Sequence, residues 1–272
     1  MKHLSFNAYT LKWIAIIGMI TSHIATAWHL ILPTWLFLPL FTLGGFTYVI
    51  MAFFVVEGYK YTSSLRNYIG RLLVFGFIAQ SLHNMVIGVT QIMPGIFLNI
   101  MFTITLSLIV LRIYDKIKYR ALFWIFIFPI AIVASLYMDL AFIGVIVPLM
   151  YFRIKKESRR RTVPGVVAGI IWIILGGVNL LGIFHAKSVY GAEAVQELIY
   201  GDMGMSMNFL WGLPLFGIGC IFAAILIRNY NGERGKPAKW LFYVVYPVHF
   251  AVIAAISLAF GWLEPSLFGI AI

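Results

Sequence analysis

The chain has 272 residues, of which 62% are hydrophobic and 11% charged, with 20 Lys and Arg against nine Asp and Glu. A soluble domain is roughly 45–50% apolar and about 25% charged, so this composition excludes an ordinary soluble enzyme. The mean hydropathy of +0.97 indicates an all-α, polytopic bundle of transmembrane helices, and we interpret residues 1–272 as one domain. Cys220 is the only cysteine, which excludes an intrachain disulfide and a cysteine-based metal cluster.

Nine apolar stretches follow one another along the chain, and we interpret them as membrane spans. The predicted spans are residues 12–31, 35–58, 66–87, 93–112, 121–138, 139–153, 164–184, 207–228 and 239–260. Only Asp139 interrupts the apolar run 121–152, so residues 121–153 form either two spans in a tight hairpin or one re-entrant unit. The mixed polar and apolar segment 185–206 favours a short amphipathic helix at the membrane surface.

Positive charges alternate between the two ends of these spans. Nineteen of the 20 Lys and Arg residues lie on the side that carries the N-terminus, and the exception is Lys187. The positive-inside rule makes that side cytoplasmic, which predicts an N-terminus inside, a C-terminus outside and a location in the cell (plasma or inner) membrane. We interpret the basic cluster 153–161 as a topology signal that contacts anionic lipid, and we expect no nucleic-acid partner.

Two histidines lie near the middle of the first and last predicted spans. His23 is eleven residues past Lys12, and His249 is ten residues past Lys239, which corresponds to depths of about 16 and 15 Å at 1.5 Å per residue. An ionisable side chain at such a depth is costly unless it has a partner or a function. A neutral imidazole there can accept a proton from an attacking hydroxyl or amine and return it to a leaving group. The alternative is a structural hydrogen bond between helices.

Other polar side chains in or beside the spans are candidates for binding. Arg71 lies deeper than a flanking residue would, so it either extends to the inner headgroups or binds a phosphate or pyrophosphate from the cytoplasm. Asn99 is either a ligand contact or an interhelical hydrogen bond. The further candidates are Ser22, Glu57, Lys60, Arg66, Gln80, Thr103, Tyr243 and Tyr246.

We interpret His29, His83 and Asn84 as residues of the outer membrane interface. No carboxylate is deep enough in the predicted spans to complete a metal site with two histidines, so no metal is expected.

Four segments carry short motifs in a fixed order along the chain. They are LKWIAIIGMITSHI, VVEGYKYTSSLRNYIGRLLVFGFIAQ, LNIMFTITLSLIVL and LFYVVYPVHFAVI. They resemble, in turn, the Met-x-x-Asp-His run, the Glu-Gly-Tyr, Arg-Leu and Ile-x-Gln stretch, the Asn-x-x-Phe-Thr segment and the Phe-Tyr-x-x-Tyr-Pro-x-His signature of the TraX family of integral-membrane acyltransferases. The chain departs from that pattern at Ser22, where the family has an acid, and at LGGFTY, where an arginine is expected. If an acid orients His23, Glu57 is a candidate replacement.

The resemblance implies transfer of an acyl group, in the simplest case acetyl, from cytoplasmic acyl-CoA to an amine or hydroxyl. The acceptor would be a pilin-like peptide, glycan or lipid presented from the membrane or the outer face. Acyl-CoA would be a substrate, with no tightly bound cofactor. His23 and His249 would be catalytic, and Lys60, Arg66, Arg71 and Asn99 would bind the donor.

Two alternatives stay open. One is a proton-coupled transporter or channel for a small polar solute, in which the histidines relay protons. The absence of a clear internal repeat disfavours it. The other is a scaffold for pilus or envelope assembly that performs no chemistry.

Overall fold

The computed structural model describes residues 5–87, 97–197, 199, 206–237 and 240–262. Over these residues the fold is helical, and the only strand-like pairing is two isolated bridges, Phe6 with Tyr230 and Leu98 with Met138. The helices are α1 (Ala8–Ala27), α2 (Thr34–Thr42), α3 (Gly44–Tyr61), α4 (Leu65–Ile87), α5 (Ile100–Lys116), α6 (Arg120–Leu122), α7 (Phe128–Ser135), α8 (Ala141–Arg153), α9 (Glu157–Tyr190), α10 (Ala192–Glu197), α11 (Met207–Arg228) and α12 (Leu241–Ala259), with a π-helical segment (Phe123–Ile127) between α6 and α7.

Six helical segments in the described part of the chain are long and apolar enough to cross a membrane. They are Ala8–Ala27, Thr34–Tyr61, Leu65–Ile87, Glu157–Tyr190, Met207–Arg228 and Leu241–Ala259. The three other predicted spans fall on shorter elements, namely α5 with 17 residues and the apolar helices Arg120–Ser135 and Ala141–Arg153. The all-α class and the presence of membrane-type helices are therefore confirmed, whereas the count of nine spans and the orientation stay predictions.

Several predicted boundaries differ from the observed helices. The second span is two helices, α2 and α3, which meet at Leu43. The ambiguous region 121–153 contains two helical segments separated by the turn 136–140. The helix α9 continues to Tyr190, so the predicted surface segment 185–206 begins inside a long helix and continues as α10. Residues 93–96 of the fourth span, Lys239 at the start of the ninth, and 198 and 200–205 lie outside the described residues.

Small residues allow the longest helices to approach each other closely. A Cβ atom on Gly169 of α9 would lie 2.5 Å from the carbonyl oxygen of Gly217 in α11, and the reverse substitution would meet the same obstacle. A Cβ atom on Gly45 of α3 would lie 2.6 Å from the backbone nitrogen of Cys220 in α11. Backbone-to-backbone packing of this kind is typical of membrane helix pairs, and it makes α11 the centre of one half of the bundle.

One end of the bundle gathers many of the basic residues, and we call it the basic end. Phe6 donates its N–H to the carbonyl oxygen of Asn229 at 3.0 Å, and Asn231 donates to the carbonyl oxygen of Phe6 at 2.9 Å. Arg160 at the start of α9 forms an ion pair of 2.6 Å with Glu57 near the end of α3. These contacts place the starts of α1 and α9 beside the ends of α3 and α11, as an alternating topology requires.

Candidate functional site

The first and last long helices bring His23 and His249 into contact. Nδ1 of His23 lies 2.7 Å from Nε2 of His249, and the two rings stack with 4.9 Å between their centroids. Trp28 at the end of α1 donates from Nε1 to Oγ of Ser257 in α12 at 2.8 Å, which holds the two helices together beside the pair. The structure thus joins the two histidines that the sequence analysis selected.

The backbone decides which nitrogen of each histidine carries the proton. Nδ1 of His249 lies 2.9 Å from the carbonyl oxygen of Val245, and because a carbonyl only accepts, this nitrogen carries the hydrogen. A neutral His249 then has its lone pair on Nε2, so His23 donates from Nδ1. A neutral His23 therefore keeps a lone pair on Nε2, and no described residue forms a hydrogen bond with that atom.

A mainly apolar cavity of about 300 Å³ lies beside this pair, and we call it the inner cavity. Its polar lining residues include His23, Thr103 and Tyr246. The hydroxyl of Tyr246 is buried and has no hydrogen-bond partner among the described residues. His23 therefore faces a space that can hold a small reacting group, with an unpaired hydroxyl in its wall.

A second polar pair, which the sequence analysis missed, lies in the wall of the same cavity. Nε2 of His83 lies 3.1 Å from Oδ2 of Asp139, and the His83 side chain is 1% exposed. His83 is therefore enclosed by protein, because the end of α4 packs against the turn 136–140, and its predicted position near the outer interface stays a prediction. The available signal was that Asp139 is the single acid in the apolar run 121–152.

The turn that carries Asp139 is held in an unusual backbone conformation. Leu140 and Ala141 have φ values of 64° and 40°, a region that side chains larger than glycine rarely adopt. Asp139 donates its N–H to the carbonyl oxygen of Leu98 at 2.9 Å, and its own carbonyl oxygen accepts from Oγ1 of Thr103 at 2.9 Å. Strain supported by tertiary contacts is a common property of functional sites.

Asn99 belongs to the surroundings of this second pair, where it forms a hydrogen bond between helices, one of the two roles considered for it. Its side chain caps α5 by accepting from the N–H of Met101 at 3.0 Å. Its Nδ2 donates to the carbonyl oxygen of Gly76 at 2.8 Å and to Oε1 of Gln80 at 3.0 Å. Asn99 is fully buried, so the structure does not place it where the sequence analysis expected acyl-CoA.

A larger opening of about 940 Å³ lies at the basic end, and we call it the basic cleft. Its acidic lining residues are Glu57 and Glu157, and Arg160 contacts both, at 2.6 and 2.8 Å. Arg161 also pairs with Glu157, at 2.7 Å. The remaining cations of the lining form no ion pair with a described carboxylate; they are Lys12, Arg71, Arg234 and Lys236.

Among the predicted donor-binding residues, Arg71 lines the cleft and lies 5.7 Å from the ring centroid of Tyr243. Lys60 and Arg66 do not line it: Lys60 lies 3.8 Å from Glu57, and Arg66 is exposed elsewhere. The sequence analysis had explained most of the other cations by topology alone. Burial raises the pKa of the Tyr230 phenol in the cleft wall above its ordinary value, so this phenol stays protonated to a higher pH than a free tyrosine does.

The basic cleft and the inner cavity adjoin each other. Five residues line both spaces: Met51, Val55, Met101, Ile104 and Phe242. The helix α12 contributes Tyr243 to the cleft, Tyr246 to the inner cavity and His249 to the histidine pair. This spacing of three residues places all three on adjoining positions of one helix face.

The acid that the sequence pattern lacks at Ser22 is not replaced by Glu57. Glu57 is engaged with Arg160 at the basic end, and Oγ of Ser22 donates to the carbonyl oxygen of Met19 at 3.1 Å. His249 is the partner that orients His23 instead. In the described part of the chain, no three His, Cys, Asp or Glu side chains are grouped so as to hold a metal ion.

Comparison with known proteins assigns the chain to a family. A family model described as TraX protein matches residues 7–257. The probable fimbrial assembly protein FimC, serogroup H1, of Dichelobacter nodosus is 27% identical over 262 residues, which cover 93% of this chain and 97% of that protein. No solved structure matches. Since the family match spans nearly the whole bundle, including the histidine pair and both cavities, the chain belongs to the TraX family.

Proposed function

We propose that this protein is an integral-membrane acyltransferase. It would move an acyl group, in the simplest case acetyl, from cytoplasmic acyl-CoA to an amine or hydroxyl of an acceptor presented from the membrane or the outer face. The observation that carries the proposal is that a cation-lined cleft adjoins a small apolar cavity lined by His23, whose Nε2 forms no hydrogen bond with a described residue.

The basic cleft suits the nucleotide part of acyl-CoA. That part carries a pyrophosphate and a ribose phosphate, and Arg and Lys are the side chains that recognise such groups. Four cations of the cleft have no ion-pair partner among the described carboxylates, so they are available to an anion. A volume of about 940 Å³ lies at the upper end of the range of roughly 300–1,000 Å³ that is usual for ligand pockets.

The inner cavity suits the thioester. The pantetheine arm would pass the five residues shared by the two spaces, all of which are apolar. An apolar cavity excludes water, which protects a thioester from hydrolysis and strengthens electrostatic interactions with the reacting atoms. In this proposal the phosphates would lie at the basic end and the acyl carbon near His23.

The reaction follows from the tautomers of the histidine pair. Nε2 of His23 accepts the proton of the acceptor as its nitrogen or oxygen attacks the acyl carbon, and His249 stabilises the resulting imidazolium by accepting from Nδ1. The new C–N or C–O bond forms, the C–S bond breaks, and the imidazolium returns the proton to the departing thiolate. The unpaired hydroxyl of Tyr246 is available to the oxyanion of the tetrahedral intermediate.

The relative from Dichelobacter nodosus is named as a fimbrial assembly protein, which makes a pilin-like peptide the first acceptor to test. A glycan or a lipid is the next choice, since either would also reach the membrane-facing side of the bundle.

The first experiment measures binding of acetyl-CoA to the purified protein in detergent, against CoA and ATP. We expect saturable binding that Arg71→Ala weakens and Arg66→Ala leaves unchanged, since Arg66 is a matched cation of α4 outside the cleft. Transfer of labelled acetyl to candidate acceptors is then followed in the same preparations. Absence of acetyl-CoA binding by a folded protein would overturn the proposal in favour of transport or a scaffold role.

A further inference from the structure

The hydrogen bonds that surround His83 determine its charge, starting from the backbone of α5. The N–H of Asn99 donates to Oε1 of Gln80 at 3.1 Å. A backbone N–H is always a donor, so this contact establishes which end of the Gln80 amide is the oxygen. The amide nitrogen of Gln80 therefore points the other way, where it donates to the carbonyl oxygen of Phe97 at 2.7 Å.

The same logic extends from Gln80 to Asn84. Nε2 of Gln80 also donates to Oδ1 of Asn84 at 2.7 Å, so the Asn84 amide presents its oxygen at this point. Nδ1 of His83 lies 3.3 Å from that oxygen, and Nε2 of His83 lies 3.1 Å from Oδ2 of Asp139. Both ring nitrogens of His83 thus face oxygen atoms.

A neutral imidazole has a single N–H and would direct a lone pair at one of these oxygens. Both contacts are hydrogen bonds only when the His83–Asp139 pair carries two protons, one between Nδ1 and Asn84 and one between Nε2 and Asp139. Because imidazole is a much stronger base than a carboxylate, both protons belong to the ring. We propose that His83 is held as an imidazolium, ion-paired with Asp139, and that this fixed positive charge stabilises the oxyanion formed in the inner cavity.

The groups around His83 are compatible with this charge. Asp139 is the one carboxylate among the residues that line the inner cavity in the described structure. From α12, the ring of Phe250 lies edge-on to His83 at 5.4 Å and 4.7 Å from the ring of His23, so an apolar ring separates the two histidines. The other titratable groups of the wall are His23, neutral in its pair, the Tyr246 hydroxyl, and the Tyr48 hydroxyl, which donates to the carbonyl oxygen of Ile143.

The catalytic part of this inference rests on the proposed acyl transfer. When the acceptor attacks, the acyl oxygen gains negative charge while His23 gains the proton. A cation already present in an apolar wall stabilises that oxygen without having to be reorganised during the reaction. His83 keeps its protons throughout, so the proton still travels from the acceptor to His23 and then to the thiolate.

The charge is tested directly by nitrogen NMR of protein labelled with ¹⁵N-histidine in detergent micelles at pH 7.5. We expect one doubly protonated ring, which disappears in His83→Gln and becomes neutral in Asp139→Asn. His29→Gln, which changes a histidine that does not line the inner cavity, should leave that signal in place. A neutral His83 in the wild-type protein would overturn the inference, whatever the protein catalyses.

The catalytic role is tested by kinetics on the same variants. We expect Asp139→Asn and His83→Gln to lower kcat about 100-fold, the effect typical of losing one oxyanion-stabilising group, with the dissociation constant of acetyl-CoA unchanged. If His83→Gln does not fold, the catalytic role is judged from Asp139→Asn alone, by comparing its kcat with the charge of His83 that NMR shows in that variant. An imidazolium whose loss leaves kcat unchanged would refute the catalytic role, and a wild type inactive on every acceptor would instead count against the proposed function.

Discussion

The inner cavity is lined by two histidines, His23 paired with His249 and His83 paired with Asp139, and the two pairs differ in what lies behind them. His249 behind His23 is anchored by a backbone acceptor, the carbonyl oxygen of Val245. Asn84 behind His83 is oriented through Gln80 by a backbone donor, the N–H of Asn99. The first chain of hydrogen bonds leaves a free lone pair on Nε2 of His23. The second leaves both ring nitrogens of His83 facing oxygen atoms that accept hydrogen bonds. In the proposed mechanism, backbone groups that neither His23 nor His83 contacts thus give these two histidines opposite roles, a base and a cation.

The two pairs also differ in how they depend on the fold. His23 and His249 come from two long helices, whereas Asp139 lies in a short turn with positive φ at the next two residues. A buried ion pair is costly when its polar atoms are incompletely bonded. The contacts of the turn with Leu98 and Thr103 are therefore required for the second pair but not for the first.

The largest effect is expected from His23→Ala, which removes the free lone pair. Transfer should fall roughly 1,000-fold, within the range of a lost general base, while acetyl-CoA binding and thermal stability stay near those of the wild type. Labelled-acetyl transfer and a binding isotherm measure the two quantities. His29→Ala is the control, and full activity in His23→Ala would show that the lone pair is not used.

The next effect is expected from His249→Leu, which removes the acceptor of the His23 Nδ1–H. His23 is then no longer held in the reactive tautomer, and we expect a loss of transfer on the order of 100-fold. His249→Gln keeps a carbonyl oxygen at a similar reach and should lose less. Equal losses in the two variants would mean that the ring of His249, and not its acceptor nitrogen, is what matters.

Asn99→Ala removes the side-chain hydrogen bonds of Asn99 behind the second pair, including the one from Nδ2 to Gln80, but keeps the backbone N–H that orients Gln80. It leaves the carbonyl oxygen of Gly76 and the N–H of Met101 without their side-chain partner, and we expect a loss of about 2 kcal/mol in unfolding free energy. A thermal melt in detergent measures this loss. Asn179→Ala, which removes an exposed amide of α9, is the matched control. A fall in acetyl-CoA affinity without a stability change would restore the sequence-based assignment of Asn99 to donor binding.

The smallest effect is expected from Thr103→Val, which removes the hydrogen bond to the carbonyl oxygen of Asp139 without a large change of volume. The expected cost is about 0.6 kcal/mol, the average for a side-chain hydrogen bond between membrane helices. We expect a few-fold loss of transfer as the turn loosens. Thr162→Val is the control, because the hydroxyl of Thr162 bonds only within its own helix. If Thr103→Val lost more transfer activity than His249→Leu, the second pair would matter more for transfer than the first.

The His23–His249 pair could be predicted from the sequence and the His83–Asp139 pair could not, and both outcomes have the same reason. His23 and His249 stand out locally, because each is an ionisable residue within about 20 apolar ones. His83 lies near the end of a predicted span, where an interfacial position explains it equally well. Its burial depends on a turn 56 positions further along the chain, and no local pattern contains that information.

The basic cleft also contains some residues that the sequence predicted and others that only the structure revealed. Arg71 was selected because it lies inside a span, and it lines the cleft. Arg66 belongs to the same helix as Arg71 but lies on a different face of it. Lys60 lies at the end of α3, beside Glu57. Lys12, Arg234 and Lys236 line the cleft because the start of α1 is hydrogen-bonded to the loop that follows α11.

The sequence by itself determined the membrane class, the approximate positions of the long helices and the resemblance to the TraX family. These follow from hydrophobicity summed over some 20 residues and from short motifs, which are local properties of the chain. Only the tertiary structure decided that His83 meets Asp139 and that Arg160 binds Glu57, 103 positions away. Such pairs depend on which helix faces pack together, and that is determined by the shapes of many small and large side chains acting at once.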